Sequence, residues 1–312
     1  MTSAQQVGLR HPDGPPARHE PVFLLAPARS FTTVTVALLA GHPDIYGFPE
    51  LGLFTAATVG ELIDPARAEA GGRWFAEFKR NGILRAVADL REGSQDQPAI
   101  SRAEKWLTER SSWTPRQLMD YLLELAYPQI GLEKSPETTG SGDALDACVR
   151  DYPNAVYVHL TRHPVSTMRS MREHWRHIPG MTEKRLTGMA ATGWYLSHAR
   201  IVRKLAAMPA GQWTRIRTED LLRDPRTRLP KLLTWLGLRT DDDIVARMTH
   251  TENWRFANTG PSGKLFGGDP KFMRSPILRP VAEPGEITFD QSWGLTVEIS
   301  ARITALASQL GY

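Results

Sequence analysis

Two places in the sequence carry residue types that could hold a phosphate. The first is Ala28-Arg29-Ser30-Phe31-Thr32-Thr33, where an apolar run, Val22 to Ala26, gives way to a helical pattern. Phosphate binding at such a junction uses backbone N–H groups at a helix start, helped by hydroxyls and a cation. Ser30, Thr32 and Thr33 supply the hydroxyls and Arg29 a fixed cationic fork. A nucleoside-triphosphate loop of the G-x-x-x-x-G-K-S/T type needs glycines and a lysine, and this stretch has neither. Its chemistry argues against ATP with magnesium. Read by itself, the stretch is equally an ordinary strand–turn–helix with a Ser/Thr cap.

The second place is Arg162, just after the apolar run Ala155 to Leu160 and just before Pro164. An arginine at a strand end can clamp a phosphate through two parallel hydrogen bonds. Ser170 falls about two turns into the following helix. That helix face also carries Arg169, Arg172 and Arg176, so its positive charge has a plain reading as a solvated surface. His174 and His177 are three apart on the same helix, but no third ligand has a convincing spacing, and no metal site is expected.

The elements that must position these residues follow from the hydrophobic pattern. Continuous apolar runs predict strands at 22–26, 44–48, 130–134, 155–160 and 213–217. Helical patterns predict helices at 32–40, through most of 51–127, and at 144–150, from Pro164, 183–207, 219–223, 226–237, 241–249 and 293–310. Residues 251–290, rich in Gly and Pro, read as loop. Strands that alternate with helices and are apolar throughout imply an α/β fold, with a mostly parallel sheet covered on both faces. Residues 1–20 lack periodicity and read as a mobile tail. Residues 21–312 read as one α/β domain with a helical insertion at about 51–127.

Composition narrows the class. The 312 residues are 41% hydrophobic and 23% charged, with a formal net charge of +4. That balance suits anionic ligands and is too weak to argue for nucleic acid. The single cysteine, Cys148, excludes an internal disulfide and suits a reducing compartment. No apolar run approaches the roughly 18 residues of a membrane span, and no leader pattern opens the sequence. A cytoplasmic protein is the expectation.

Four stretches, in order, resemble sulfotransferases that use 3′-phosphoadenosine-5′-phosphosulfate (PAPS). "PARSFTT" with "AGHPDIYGFPEL" is similar to a Pro-x-Arg/Lys-Ser-Gly-Thr-Thr loop followed by His-Pro and a glutamate. "LEKSP" resembles the Lys-Ser/Thr-Pro segment. "LTRHPVSTMRSM" resembles the 3′-phosphate motif, with Ser170 eight residues after Arg162. "RIRTEDLLRDPRTRLPKLLTWLGL" is similar to the Tyr/Thr-Glu-Asp-Leu stretch. Bacterial and Golgi-type members often continue with that His-Pro and glutamate, and the resemblance spans about residues 21–238.

The resemblance implies a three-layer, P-loop-type α/β fold and a metal-independent, in-line sulfuryl transfer from PAPS that leaves 3′,5′-ADP. It implies Glu50 as the base, with a surface helix-capping glutamate as the other reading; His42 and Asp44 are nearby alternatives, with His42-Pro43 read first as shaping the turn. Lys134 becomes the cation on the sulfonate or, alternatively, a plain surface lysine. Arg29 serves the 5′-phosphate side, and Ser30, Phe31, Thr32 and Thr33 form the loop. Arg162 and Ser170 take the 3′-phosphate. Thr218 stands at the adenine-side position where some relatives stack a tyrosine, so a stacking ring must come from elsewhere. The loop 259–275, with Lys264, Lys271 and Arg274, is a candidate for closing over the cofactor or a flexible surface loop. Phe31 is the main departure, because relatives have glycine there. Trp74, Phe75, Phe78, Trp106, Trp113 and Tyr121 would serve either the core or an apolar acceptor, which could be small, lipid or carrier-bound. A small-molecule kinase and an inactive nucleotide-binding scaffold remain as alternatives.

Overall fold

The computed structural model describes residues 20–64, 73–264 and 266–312, with the side chains of 73–79 left outside that description. Residues 1–19 of the expected 1–20 tail and the side chains of Trp74, Phe75 and Phe78 therefore lie outside the described residues.

Five strands form one sheet: β1 (Val22–Leu25), β2 (Ile45–Gly47), β3 (Ile130–Glu133), β4 (Val156–Thr161) and β5 (Trp213–Arg217). Their order is β2-β3-β1-β4-β5, and every pairing is parallel. β1 and β4 align Val22 with Val156 through Leu25 with His159. All residues of β1, β3 and β4 are buried, as strands covered on both faces must be. β1 sends its chain toward β2 and β4 sends its chain toward β5. Their carboxyl ends therefore part, and an open α/β sheet binds ligands in that crevice.

Helices flank the sheet. α1 (Thr32–Leu39) leaves β1 directly. Between β2 and β3 lies the helical insertion of α2 (Val59–Ile63), α3 (Arg73–Glu92), α4 (Gln97–Thr108) and α5 (Pro115–Ala126). α5 starts on a reciprocal cap between Thr114 and Gln117, with Pro115 in the first turn. After β3 come α6 (Pro136–Gly140) and α7 (Gly142–Asp151), and after β4 come α8 (Pro164–Trp175) and α9 (Glu183–Leu205). α10 (Thr218–Arg223), α11 (Pro225–Trp235) and α12 (Asp242–Met248) follow β5. Beyond a short α13 (Pro270–Arg274) the chain closes on α14 (Val297–Gln309). The short helices α6 and α13 were not expected from periodicity, since each is only five residues long.

One apolar core runs through the sheet, α1 and the insertion. A second joins α8, α9 and α14 through Met168, Met171, Leu186, Trp194 and Ile303. In the insertion, Trp106, Trp113 and Tyr121 pack on one another with ring centroids 4.8–5.8 Å apart. Arg110 lies 4.1 Å from the Trp106 ring. These rings form a packing cluster rather than an acceptor wall. Among the described residues, no helix is long and apolar enough to cross a membrane.

One polar pair is sealed between β4 and α9. His159 Nε2 and His198 Nδ1 are 2.8 Å apart, and both side chains are fully buried. Arg215 Nε donates to His159 Nδ1 at 3.3 Å. That contact fixes the proton of neutral His159 on Nε2, facing His198. Burial first, then the positive neighbour Arg215, holds His198 down to about 3, and burial also depresses His159. A depressed histidine contributes stability that is fully present above its unfolded value and is lost as the pH falls below it. Below about pH 6.5 the pair should therefore cost about 1.4 kcal/mol per pH unit per histidine. Denaturation midpoints from pH 8 to 4 should fall on acidification, and a His159→Asn/His198→Asn variant should show a slope shallower by about two protons.

Candidate active site

The loop between β1 and α1 is shaped by two residues in the left-handed region, Arg29 at φ 65° and Phe31 at φ 59°. For residues with a Cβ that conformation costs about 1–2 kcal/mol each. Phe31 sits at the N-cap of α1, and its carbonyl accepts from Thr35 N at 3.0 Å and Thr35 Oγ1 at 2.9 Å. Glycine, the residue that the resemblance puts at this position, would adopt this turn without strain. The Phe31 ring does not turn into the core. It lies under the Arg162 guanidinium, 3.9 Å from Cζ to the ring centroid.

Arg29 and Arg162 meet across the β1–β4 crevice. Arg162 Nη1 donates to the Arg29 carbonyl. Arg29 Nε donates to Ser170 Oγ at 3.2 Å, and its Nη1 pairs with Asp269 Oδ1 at 3.0 Å. Burial lowers Arg162 to about 10, opposed mainly by Glu219, so it stays cationic at neutral pH. Glu219 buttresses the turn: its carboxylate accepts from His163 N at 2.8 Å and from Tyr312 Oη at 2.9 Å. Trp194 Nε1 donates to the Arg162 carbonyl at 3.0 Å.

A second cluster lies at the start of α1. Lys134 Nζ donates to Thr33 Oγ1 at 2.9 Å and to Glu50 Oε1. The Lys134 side chain is 1% exposed and Glu50 12%. Glu50 N donates to the Gly267 carbonyl at 2.9 Å. The next two amides, Leu51 N and Gly52 N, donate to Ser135 Oγ at 3.0 and 2.8 Å. Ser135 in turn donates to Glu133. Burial raises Glu133 to about 7, against the lowering effects of Ser135 and Lys134. Gly82 of α3 abuts the Glu50 carbonyl so closely that a Cβ there would stand 1.8 Å from the oxygen.

A cavity of about 540 Å³ opens at this crevice. Of the residues expected from sequence, Arg29, Phe31, Thr32, Thr33, Glu50, Arg162 and Ser170 line it. Ser30 is fully buried, and its Oγ has no hydrogen-bond partner among the described residues. Lys134 stands behind Glu50 and Thr33 rather than in the wall. Thr218 departs from its expected place. It is buried, and its hydroxyl donates to the Thr161 carbonyl at 2.7 Å, so it supports the strand end instead of facing the cavity. Lys264 is exposed and outside the lining, whereas Lys271 of the same loop lines it. Arg274 lies over the Phe266 ring at 4.9 Å. His42 is a turn residue, accepting from Asp44 N at 3.1 Å and contacting the Arg239 carbonyl.

Sequence reasoning missed Asp269 and Arg85. Asp269 lines the cavity, its backbone N donates to Thr33 Oγ1 at 3.1 Å, and its side chain caps Lys271 N. Asp-Pro ahead of a short helix was the available signal. Arg85 is fully buried and fastens this wall by donating to the carbonyls of Asn258, at 3.0 Å, and Phe266, at 2.8 Å. Nothing local marks it. Among the described residues no cluster of three or more His, Cys, Asp or Glu could hold a metal ion.

Comparison with known proteins gives the same outline. A sequence profile of the sulfotransferase family matches residues 21–242. The sulfotransferase domain from the curacin biosynthetic pathway superposes with a TM-score of 0.72 at 20% identity, covering 94% of this chain and 98% of that one. The sulfotransferase domain from the Synechococcus PCC 7002 olefin synthase gives 0.69 at 22% identity, covering 94% of each chain. At these identities the likeness shows the shared fold. Nodulation protein NoeE of Sinorhizobium fredii (strain NBRC 101917 / NGR234) is 24% identical over 262 residues, which is 76% of this chain and 55% of that protein. The chain thus spans about half the length of that relative.

The contact of Gly82 with Glu50 is directly testable. Gly82→Ala must push α3 away from the Glu50 turn and should destabilise by about 1–3 kcal/mol, as overpacking does. Urea denaturation should show that loss with an unchanged slope. Unaltered stability would mean that the helix does not press on Glu50.

Proposed function

The chain belongs to the sulfotransferase family, and on that footing we propose that it transfers a sulfuryl group from PAPS to a hydroxyl, or an amine, of a small, lipid or carrier-bound acceptor. The observation that supports this reading is one cavity lined both by Glu50, with Lys134 behind it, and by the Arg29–Arg162–Ser170 set. The donor set suits a nucleotide with phosphates on two sides. Arg162 Nε is out of solvent with no protein partner among the described residues, an orphan that an anion would satisfy.

PAPS, when bound, supplies the sulfuryl group, whose bond to the 5′-phosphate oxygen breaks as the acceptor atom bonds to sulfur, the electron pair leaving with 3′,5′-ADP. Arg162 and Ser170 hold the 3′-phosphate. Arg29 and the amides at the start of α1 take the 5′-phosphate side. Glu50 receives the acceptor's proton. Its Oε1 is occupied by Lys134, and its Oε2 has no hydrogen-bond partner among the described residues. Lys134, pinned between Thr33 and Glu50, places a cation where negative charge develops on transfer. Each group is set before reaction, so little reorganisation is needed.

Thermal shift tests the reading. 3′,5′-ADP without metal should raise the unfolding temperature, corresponding to about 2.7 kcal/mol at a hundred times its dissociation constant. Stabilisation by ATP with magnesium and not by 3′,5′-ADP would overturn it. Two variants separate binding from chemistry. Glu50→Gln should lower turnover by about 100-fold or more, with 3′,5′-ADP affinity nearly intact. Arg162→Ala should weaken 3′,5′-ADP by about 10- to 100-fold, the worth of a charge-assisted phosphate contact, and 5′-AMP little. Equal losses for the two nucleotides would remove Arg162 from the 3′-phosphate.

A further inference from the structure

We propose that Phe31 is a positioning residue that presets Arg162 for the 3′-phosphate, and so sets the preference of this chain for nucleotides carrying that group. The inference rests on the reading of the cavity as a PAPS site.

Phe31 holds φ 59°, a conformation that disfavours any Cβ and that glycine adopts freely. A residue kept against that preference is worth asking about at a ligand site. Its ring contributes one contact that glycine cannot, the face 3.9 Å from Arg162 Cζ. A desolvated guanidinium gains from such a face, and Arg162 is desolvated enough for burial to be the main cause of its lowered value.

The geometry of the guanidinium then matters. Its Nη1 is held by the Arg29 carbonyl. The ring contact restrains the guanidinium from one face. One in-plane bond and one face contact leave the planar group little freedom to rotate. The remaining edge is formed by Nε and Nη2, the two-donor edge that matches two oxygens of a phosphate. Nε has no partner although it is buried, and no hydrogen bond to Nη2 is present among the described residues. The protein thus fixes the group by the atoms a phosphate does not need and leaves open the edge it does need. Without the ring, Arg162 would keep only the Arg29 contact, and ordering the side chain would fall to the ligand. Phe31 and Arg162 both line the cavity, so the contact between ring and guanidinium is at the proposed ligand site.

Binding of 3′,5′-ADP and 5′-AMP to the full chain, measured by titration calorimetry, tests this with three variants. Phe31→Leu removes the π face and keeps an apolar side chain. Phe31→Gly removes it and relaxes the backbone, so its unfolding temperature should not fall below wild type. Phe31→Tyr keeps the face. The preference for 3′,5′-ADP over 5′-AMP should drop by about ten-fold in Leu and Gly, the scale of a desolvated cation–π contact, and should be retained in Tyr. A wild-type preference that survives intact in Phe31→Leu and Phe31→Gly would overturn the positioning role alone. A wild type that does not distinguish the two nucleotides would overturn the PAPS reading, and the positioning role with it.

Discussion

A buried ammonium organises this site. Lys134, at the carboxyl end of β3, is 1% exposed, and a charge so far from water must be paired and hydrogen-bonded. Its partners are Thr33 on the first turn of α1 and Glu50 after β2. One atom therefore ties together three segments that are distant in sequence. Thr33 extends the tie, because its hydroxyl also accepts from Asp269 N in the loop before α13. Removing any one partner would leave the ammonium under-satisfied, so the constellation is cooperative.

The turn that carries Glu50 is held from three other directions. Gly267 accepts from Glu50 N, Ser135 accepts from the two following amides, and Gly82 of α3 closes on the Glu50 carbonyl. Ser135 directly follows Lys134 in the chain. The same strand end thus supplies the cation and the clamp for its carboxylate partner. Glu133, on the other side of Lys134, completes the chain by accepting from Ser135. For the base role proposed for Glu50 these restraints matter, since a shift of about 1 Å in a catalytic group can cost 100-fold in rate.

How much of this the sequence carried depends on how local each cause was. All five strands were legible, because short strand-like stretches, here three to six residues long, with helices between them have few other readings. The seven cavity-lining residues expected from motifs are governed by strand ends and helix starts, which are local features. Thr218 was placed from its motif position alone. The hydroxyl turned to the Thr161 carbonyl because a buried donor at a strand end takes the nearest acceptor. Phe31 read only as a missing glycine. Its partner, Arg162, lies 131 residues away, since 162 − 31 = 131, and no pattern within the loop could name it. Gly82 read as one more residue in a helical stretch, and only the packed structure shows why it lacks a side chain.

Arg85 shows the same limit from the other side. A fully buried arginine in the middle of an amphipathic helix has no sequence signature, and burial of an arginine is disfavoured unless every donor is met. Here the donors are met by the chain near Phe256, Asn258 and Phe266, with Gln95 taking Nε at 2.8 Å. Those carbonyls belong to a Gly- and Pro-rich stretch with little regular structure and few backbone partners of its own. The guanidinium thus serves as the missing secondary structure of that stretch. Two residues after Phe266 come Gly268 and then Asp269, the residue that meets both Arg29 and Thr33. The position of the cavity wall at the β1–α1 loop is therefore set from the insertion. The insertion and the β1–α1 loop meet through a loop whose shape is dictated by one buried charge, so a change that loosened α3 would reach Arg29 and Thr33 without touching them.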